Sequence, residues 1–287
     1  MIKQKVAIIG LGLIGGSIGL AIKHKIDAQV IGFDINPNSA TTALAMGAID
    51  QAGSFPESVQ QADLIFIATP ISQVVKTMGK IMPWIKKDTI ITDVASVKQS
   101  IISRISKLTR PDITFIGGHP MAGKEITGIS GAESDLFVNR TWVLNPSLEV
   151  NPNHLKTLQD LIIELGAKPI ILSANEHDRI VATVSHLPFV VSATLCSHAT
   201  RKSDWPTTRK LAAGGFRDTT RLASGNPQLH TEITIANKHN LLSEIDSFIL
   251  DLGKVRALIQ KNSSAKLVNF FSNTKIARDQ WLQETNI

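Results

Sequence analysis

One histidine stands among small and rigid residues in Gly117-Gly118-His119-Pro120-Met121-Ala122-Gly123, an odd setting for a packing side chain. An imidazole with a pKa near ~6.5 held there can take a proton from a substrate hydroxyl while hydride leaves the same carbon. A histidine that merely stabilises its loop is the plainer alternative. Upstream, Asp93-Val94-Ala95-Ser96-Val97-Lys98 offers Ser96, which could hold that hydroxyl, orient the imidazole, or simply cap a helix. Further along, Arg201, Lys202, Arg209, Lys210, Arg217 and Arg221 gather against Asp204 and Asp218. That imbalance suits a small anionic ligand, since guanidinium groups bind carboxylates bidentately.

These residues need elements to position them. Short β-branched runs at 6–9, 30–33, 64–68, 90–93 and 113–116 alternate with helical patterns. Such alternation predicts an α/β, Rossmann-type doubly wound parallel sheet, which binds ligands outside the carboxyl ends of its strands. His119 and Ser96 both follow such strands, and so does Ala68-Thr69-Pro70. Two more strands, 142–144 and 169–172, are expected around a helix near 155–165 that Gly166 ends.

Between the first strand and first helix stands Gly10-Leu11-Gly12-Leu13-Ile14-Gly15. Its first glycine permits a tight turn, its second lets a pyrophosphate approach, and its third lets helix pack on strand. Asp34 closes the second strand about twenty residues on, where a carboxylate accepts ribose hydroxyls and repels a 2′-phosphate. With no Lys or Arg from 35 to 75, the cofactor expected is NAD rather than NADP. Gly10, Gly12, Leu13, Ile14, Gly15, Asp34, Thr69 and Pro70 are the candidate cofactor contacts. The overlapping Gly15-Gly16-Ser17-Ile18-Gly19 imitates a hydrolase nucleophile elbow, but Ser17 lies a helical turn too late.

The second half reads as all-helical. Ser173-Ala174-Asn175-Glu176 forms a capping box that opens a long helix, which Pro188 should kink so that His186 turns toward a cleft. An amphipathic pattern of nearly thirty residues spans 233–259, and another helix covers 266–282. Their apolar faces exceed what a chain of this size covers alone, so a homodimer interface is expected. The division expected is 1–172 for nucleotide binding and 173–287 for substrate binding and dimerisation.

Composition removes other classes. The chain has 287 residues, 43% hydrophobic and 19% charged, with a net charge of +6. Basic residues are spread thinly and aromatics are few, so no nucleic-acid surface is expected. The single Cys196 forms no intrachain disulfide and reads as packing. A reducing, cytoplasmic setting fits, and no Cys/His cluster at zinc spacing suggests a metal. The uncharged run 6–22 is interrupted by five glycines, so neither a secretory leader nor a membrane partner is expected.

Taken together, GLGLIGGS at 10–17, TDVASVK at 92–98, GGHPMAG at 117–123, GAESDLF at 131–137, SHLP at 185–188 and GFRDTTR at 215–221 resemble the prephenate/arogenate dehydrogenase family. The resemblance implies oxidative decarboxylation of prephenate to 4-hydroxyphenylpyruvate, or of arogenate to tyrosine, with hydride passing to NAD. It implies His119 as base with Ser96 beside it, and His186 and Arg217 as substrate-binding residues. Where many relatives carry a tryptophan after the proline matching Pro227, this chain has Leu229-His230, and Lys124-Glu125 bears on which substrate is preferred. The chain starts at its first strand and ends after its last helix, so feedback by tyrosine would act at the active site. A dehydrogenase of another small hydroxy acid and a non-catalytic NAD-binding regulator are the alternatives.

Overall fold

The computed structural model describes residues 4–124 and 126–285, so Glu125 lies outside the described residues. The chain divides into two compact units, 1–238 and 239–287. The first unit begins with β1 (Gln4–Ile9), α1 (Leu13–Lys25), β2 (Ala28–Phe33), α2 (Pro37–Ala45), β3 (Gln51–Ala52), α3 (Glu57–Gln60), β4 (Leu64–Ile67) and α4 (Ile71–Ile81). It continues with β5 (Ile90–Asp93), α5 (Gln99–Ile105), β6 (Thr114–Pro120), β7 (Thr141–Asn145), α6 (Pro152–Glu164) and β8 (Lys168–Ile171).

The sheet order is β3-β2-β1-β4-β5-β6-β7-β8. Strands β1 to β6 are parallel, and the order reverses between β1 and β4, which opens a crevice beyond their carboxyl ends. Alternate β1 residues serve the two faces: Val6 and Ile8 join the core with Ile18 and Ile22, whereas Ala7 and Ile9 join that with Met78 and Ile81. Burial on both faces is why these strands read as unbroken apolar runs.

The doubly wound parallel core is as expected from sequence; the two further strands extend it with β7 antiparallel to β6 and β8 parallel to β7. Among the described residues between β6 and β7 the regular structure is a single 3₁₀ turn, Ile129–Gly131, with no helix to make a parallel crossover.

Beyond the sheet, Ser173 Oγ accepts a bond from Glu176 N at 3.2 Å and starts α7 (Ala174–Val181). The long helix expected from sequence is interrupted: a π-helical turn, Ala182–His186, separates α7 from α8 (Leu187–Thr200). Pro188, lacking an N–H, cannot continue the regular ladder, and the widened turn absorbs the defect. The stretch Ala174–Thr200 is long and apolar enough by composition to cross a membrane. Here His177, Asp178 and His186 are buried within it, and Phe189 joins the core on the α4/α5 face.

After α9 (Trp205–Thr208) and α10 (Gly214–Thr219) comes α11 (Pro227–Ala236). The thirty-residue helix expected from 233 is broken at Asn237, whose φ of −107° and ψ of 27° leave the helical region, and α12 (Lys238–Gln260) follows. In the second unit, the rest of α12 and α13 (Ser264–Thr285) expose Ile249, Leu250, Ile259, Val268, Phe271 and Ile276.

Candidate active site

The crevice at the strand reversal carries the glycine turn. Gly10 has φ +98°, and a Cβ there would fall 2.5 Å from the Ala68 carbonyl oxygen, so no other residue fits. A Cβ on Gly15 would lie 1.9 Å from Gly10 O, which is how closely α1 packs on the turn. Around Gly12 nothing lies within 4 Å of an added Cβ. No side-chain hydrogen bond caps α1, which starts at Leu13 beside that open space, and an uncapped helix start favours an anion.

Two further groups complete this cradle. Asp34 Oδ2 accepts from Leu11 N at 2.7 Å and Oδ1 from Asn36 N at 2.8 Å, which fixes the carboxylate beside the turn while each oxygen keeps a lone pair. Thr69 Oγ1, next to the Ala68 contact and preceding Pro70, is buried without a hydrogen-bond partner. An orphaned hydroxyl, an uncapped helix and an oriented carboxylate fit a dinucleotide. Ser17, by contrast, is sealed inside α1 and accepts from Glu133 N at 3.0 Å, so no nucleophile elbow exists.

His119 lies within β6 rather than after it, paired with Val143 of β7. The glycines before it permit close approach: a Cβ on Gly118 would be 2.5 Å from Asp93 O. Beneath it, buried Lys98 forms an ion pair with Asp93 Oδ2 and donates to Gly118 O at 2.7 Å, while Asp93 Oδ1 accepts from Gly118 N at 3.2 Å. This lattice locks β5 to β6. Burial lowers the Lys98 pKa, and the charge of Asp93 opposes that shift.

His119 Nδ1 lies 2.8 Å from His177 Nε2, and His177 Nδ1 lies 2.7 Å from Asp178 Oδ1. The carboxylate of Asp178 also accepts from Lys98 N at 2.8 Å and Gln99 N at 2.9 Å, so it caps α5. Ser96 therefore does not cap that helix. It is half-buried on the turn before Lys98, and its hydroxyl has no partner among the described residues. Burial foremost, then the neighbouring His177, Lys98 and His186, pushes the His119 pKa well below 6.5.

His186 closes the cluster. Asn237 Nδ2 donates to the Asp178 carbonyl at 2.7 Å and lies 3.0 Å from His186 Nδ1, which must therefore accept. The proton of neutral His186 sits on Nε2, which is buried with no partner. Burial lowers its pKa to about 4, partly opposed by Asp178. Beside it Phe189 stacks on His230 with ring centroids 4.3 Å apart and planes 4° apart.

Arg217 is not brought into this buried network. It lies on α10 with its side chain 79% exposed, its Nε donating to Asp218 Oδ1 at 2.8 Å. With Phe216, Thr220, Arg221 and Ser224 it lines an open depression. His177, Asp178 and Asn237 escaped the sequence reading; the adjacent His-Asp pair inside a helix was the signal available. Among the described residues no group of three or more His, Cys, Asp or Glu is placed to hold a metal ion.

A reversed parallel sheet with this glycine turn, and a histidine at its carboxyl edge, defines a nucleotide-dependent dehydrogenase. The family model described as prephenate dehydrogenase, nucleotide-binding domain, matches residues 18–171, and that for the prephenate dehydrogenase dimerization domain matches 173–273. The chain belongs to the prephenate dehydrogenase family and is an NAD-dependent oxidoreductase. It is 35% identical to prephenate dehydrogenase of Bacillus subtilis (strain 168), over 96% of this chain and 76% of that protein. Arogenate dehydrogenase of Synechocystis matches with 34% identity and a TM-score of 0.85, over 97% of this chain and 100% of that one. Prephenate dehydrogenase of A. aeolicus, crystallised with hydroxyphenyl propionate and NAD+, matches with 27% identity and a TM-score of 0.91, over 98% and 99%.

Proposed function

We propose that this protein oxidises a cyclohexadienol bearing a ring carboxylate, prephenate or arogenate, with loss of carbon dioxide. NAD, when bound, supplies the hydride acceptor. The observation that carries the reading is the free Nε2 of His119. Its other nitrogen is held at 2.8 Å by His177, whereas Nε2 has no hydrogen-bond partner among the described residues and is not sealed from solvent. Gaining an aromatic ring drives the decarboxylation, so the protein must align the substrate and remove one proton from its hydroxyl.

The remaining roles follow from the chemistry of each group. Ser96, with an unpartnered hydroxyl on the adjoining turn, holds the substrate hydroxyl beside His119. His186 offers a buried N–H that lacks an acceptor, and a substrate oxygen would satisfy it. Arg217 binds a substrate carboxylate through the guanidinium edge that Asp218 leaves free. A tight grip on the departing carboxylate would stabilise the ground state, so Arg217 serves binding rather than chemistry. The Leu13 and Ile14 amides would receive the pyrophosphate at the turn set by Gly10, Gly12 and Gly15. Asp34 would receive the ribose, and Thr69 with Pro70 would border the nicotinamide side.

Residues 1–172 serve nucleotide binding, and 173–287 serve substrate binding and assembly. A homodimer through α12 and α13 is supported by the apolar side chains exposed there and by the family of the second domain. The cytoplasm is the working compartment, in keeping with one cysteine in the chain. Following NADH absorbance with prephenate and arogenate side by side tests the function; turnover of neither, by folded NAD-binding protein, overturns it. Light scattering that gives a monomer at micromolar concentration overturns the dimer.

A further inference from the structure

A buried imidazole is a poor resting place for positive charge, because little water reaches it to solvate the ion. Yet His119, acting as base, must accept a proton at every turnover. The ionisable groups facing it come from four places: Asp93 at the end of β5, Lys98 before α5, His177 and Asp178 on α7, and His186 in the π-helical turn. Asp93 is neutralised by Lys98. Asp178 is the other anion of this set, and one imidazole, His177, connects it to the base.

We propose that His177 and Asp178 form a relay behind His119, fixing its tautomer before reaction and taking up its positive charge during reaction. The proposal rests on His119 being the base. Asp178, an acceptor for two α5 amides, accepts the Nδ1–H of His177 as well. His177 Nε2 is then a lone pair and receives Nδ1–H of His119, which leaves the lone pair of His119 Nε2 facing the substrate.

When the substrate O–H bond breaks, the proton binds His119 Nε2. The Nδ1–H bond of His119 then breaks and that proton joins His177 Nε2. No electrons are gained or lost. His119 ends neutral with its proton on Nε2, and the imidazolium is His177, 2.7 Å from the Asp178 carboxylate. The path ends there, since Asp178 is 2% exposed and enclosed by the start of α5. The charge is therefore stored, and the proton leaves by way of His119 once product departs. His177 and Asp178 are positioning residues in this scheme; neither touches substrate.

The test compares His119→Asn, His177→Gln and His177→Phe in the full chain with saturating NAD and prephenate. A glutamine oxygen accepts the His119 N–H but takes no proton, and phenylalanine does neither. In His177→Gln, KM and NAD binding should stay within about twofold of the parent while kcat falls about 10- to 100-fold. The acid limb of kcat should move to lower pH, because an unsupported imidazole protonates less readily. His177→Phe should lose more, having lost the tautomer as well. Parental kcat and acid limb in the histidine-177 variants, with His119→Asn inactive, overturns the relay and leaves the base intact. Normal turnover in His119→Asn overturns the base itself. A change confined to thermal stability or KM, with the acid limb unmoved, counts against the relay. Should His177→Phe fail to fold, His177→Gln decides alone.

Discussion

The His119 cluster and the Arg217 helix represent two ways of presenting a functional side chain. Around His119, residues from β5, β6, α5, α7 and the π-helical turn interlock, and nearly every polar atom has a partner. Arg217 sits on a six-residue helix, exposed, with its sequence neighbour Asp218 as partner. In the proposed mechanism, the geometry that proton transfer requires is held by burial. Arg217, proposed to meet an incoming anion, is left in water, where its charge stays solvated until a ligand replaces that solvent.

Substitutions can break this contrast. His119→Asn should lower kcat by about 10²- to 10⁴-fold with little change in KM, measured by NADH formation. Near-normal turnover would place the chemistry elsewhere. Cofactor choice comes next: like charges juxtaposed cost several kcal/mol, so kcat/KM should favour NAD over NADP by roughly 10²-fold, and Asp34→Ala should narrow the gap. A preference for NADP would reject the ribose role of Asp34.

Arg217→Gln should mainly raise KM, by about 10- to 100-fold, since a lost charged hydrogen bond is worth about 1.5–3 kcal/mol. A collapse of kcat at constant KM would move Arg217 into the chemistry. The smallest effect concerns stability. Burial holds the His186 pKa to about 4 in the folded chain, against 6.5 for the free side chain. Above pH 6.5 both states are neutral and the group contributes nothing. As pH falls from 6.5 toward 4, the unfolded chain binds a proton that the folded chain refuses, and stability drops by roughly 1–2 kcal/mol near pH 5. Urea midpoints at pH 7 and pH 5 should therefore differ less in His186→Asn than in the parent. An equal difference in both proteins would remove His186 as the cause.

Periodicity made the parallel core of the sheet legible, because strands covered on both faces must be apolar throughout. It did not disclose the reversal at β7, which depends on how little regular structure lies between β6 and β7. The glycine turn was readable because backbone approach leaves no other residue possible at Gly10 and Gly15. His119 and Ser96 stood out by their neighbours. His177 and Asp178 did not, since in Glu176-His177-Asp178-Arg179 they look like the wet face of a helix. Their burial comes from packing against β6 and α5, which no local pattern records. Asn237 was hidden for the same reason: an amide drawn inward to Asp178 and His186 reads in sequence as one more polar position in a long helix.

The cap that Asp178 places on α5 has a consequence for how this chain can be cut. The boundary between the two family matches falls after residue 171, yet the amides of Lys98 and Gln99 depend on a carboxylate beyond it. A fragment severed at that boundary would carry an open helix end and a bare Nδ1 on His119. Transplanting its glycine turn into another enzyme would move the nucleotide seat and leave behind the partners that hold His119 in place.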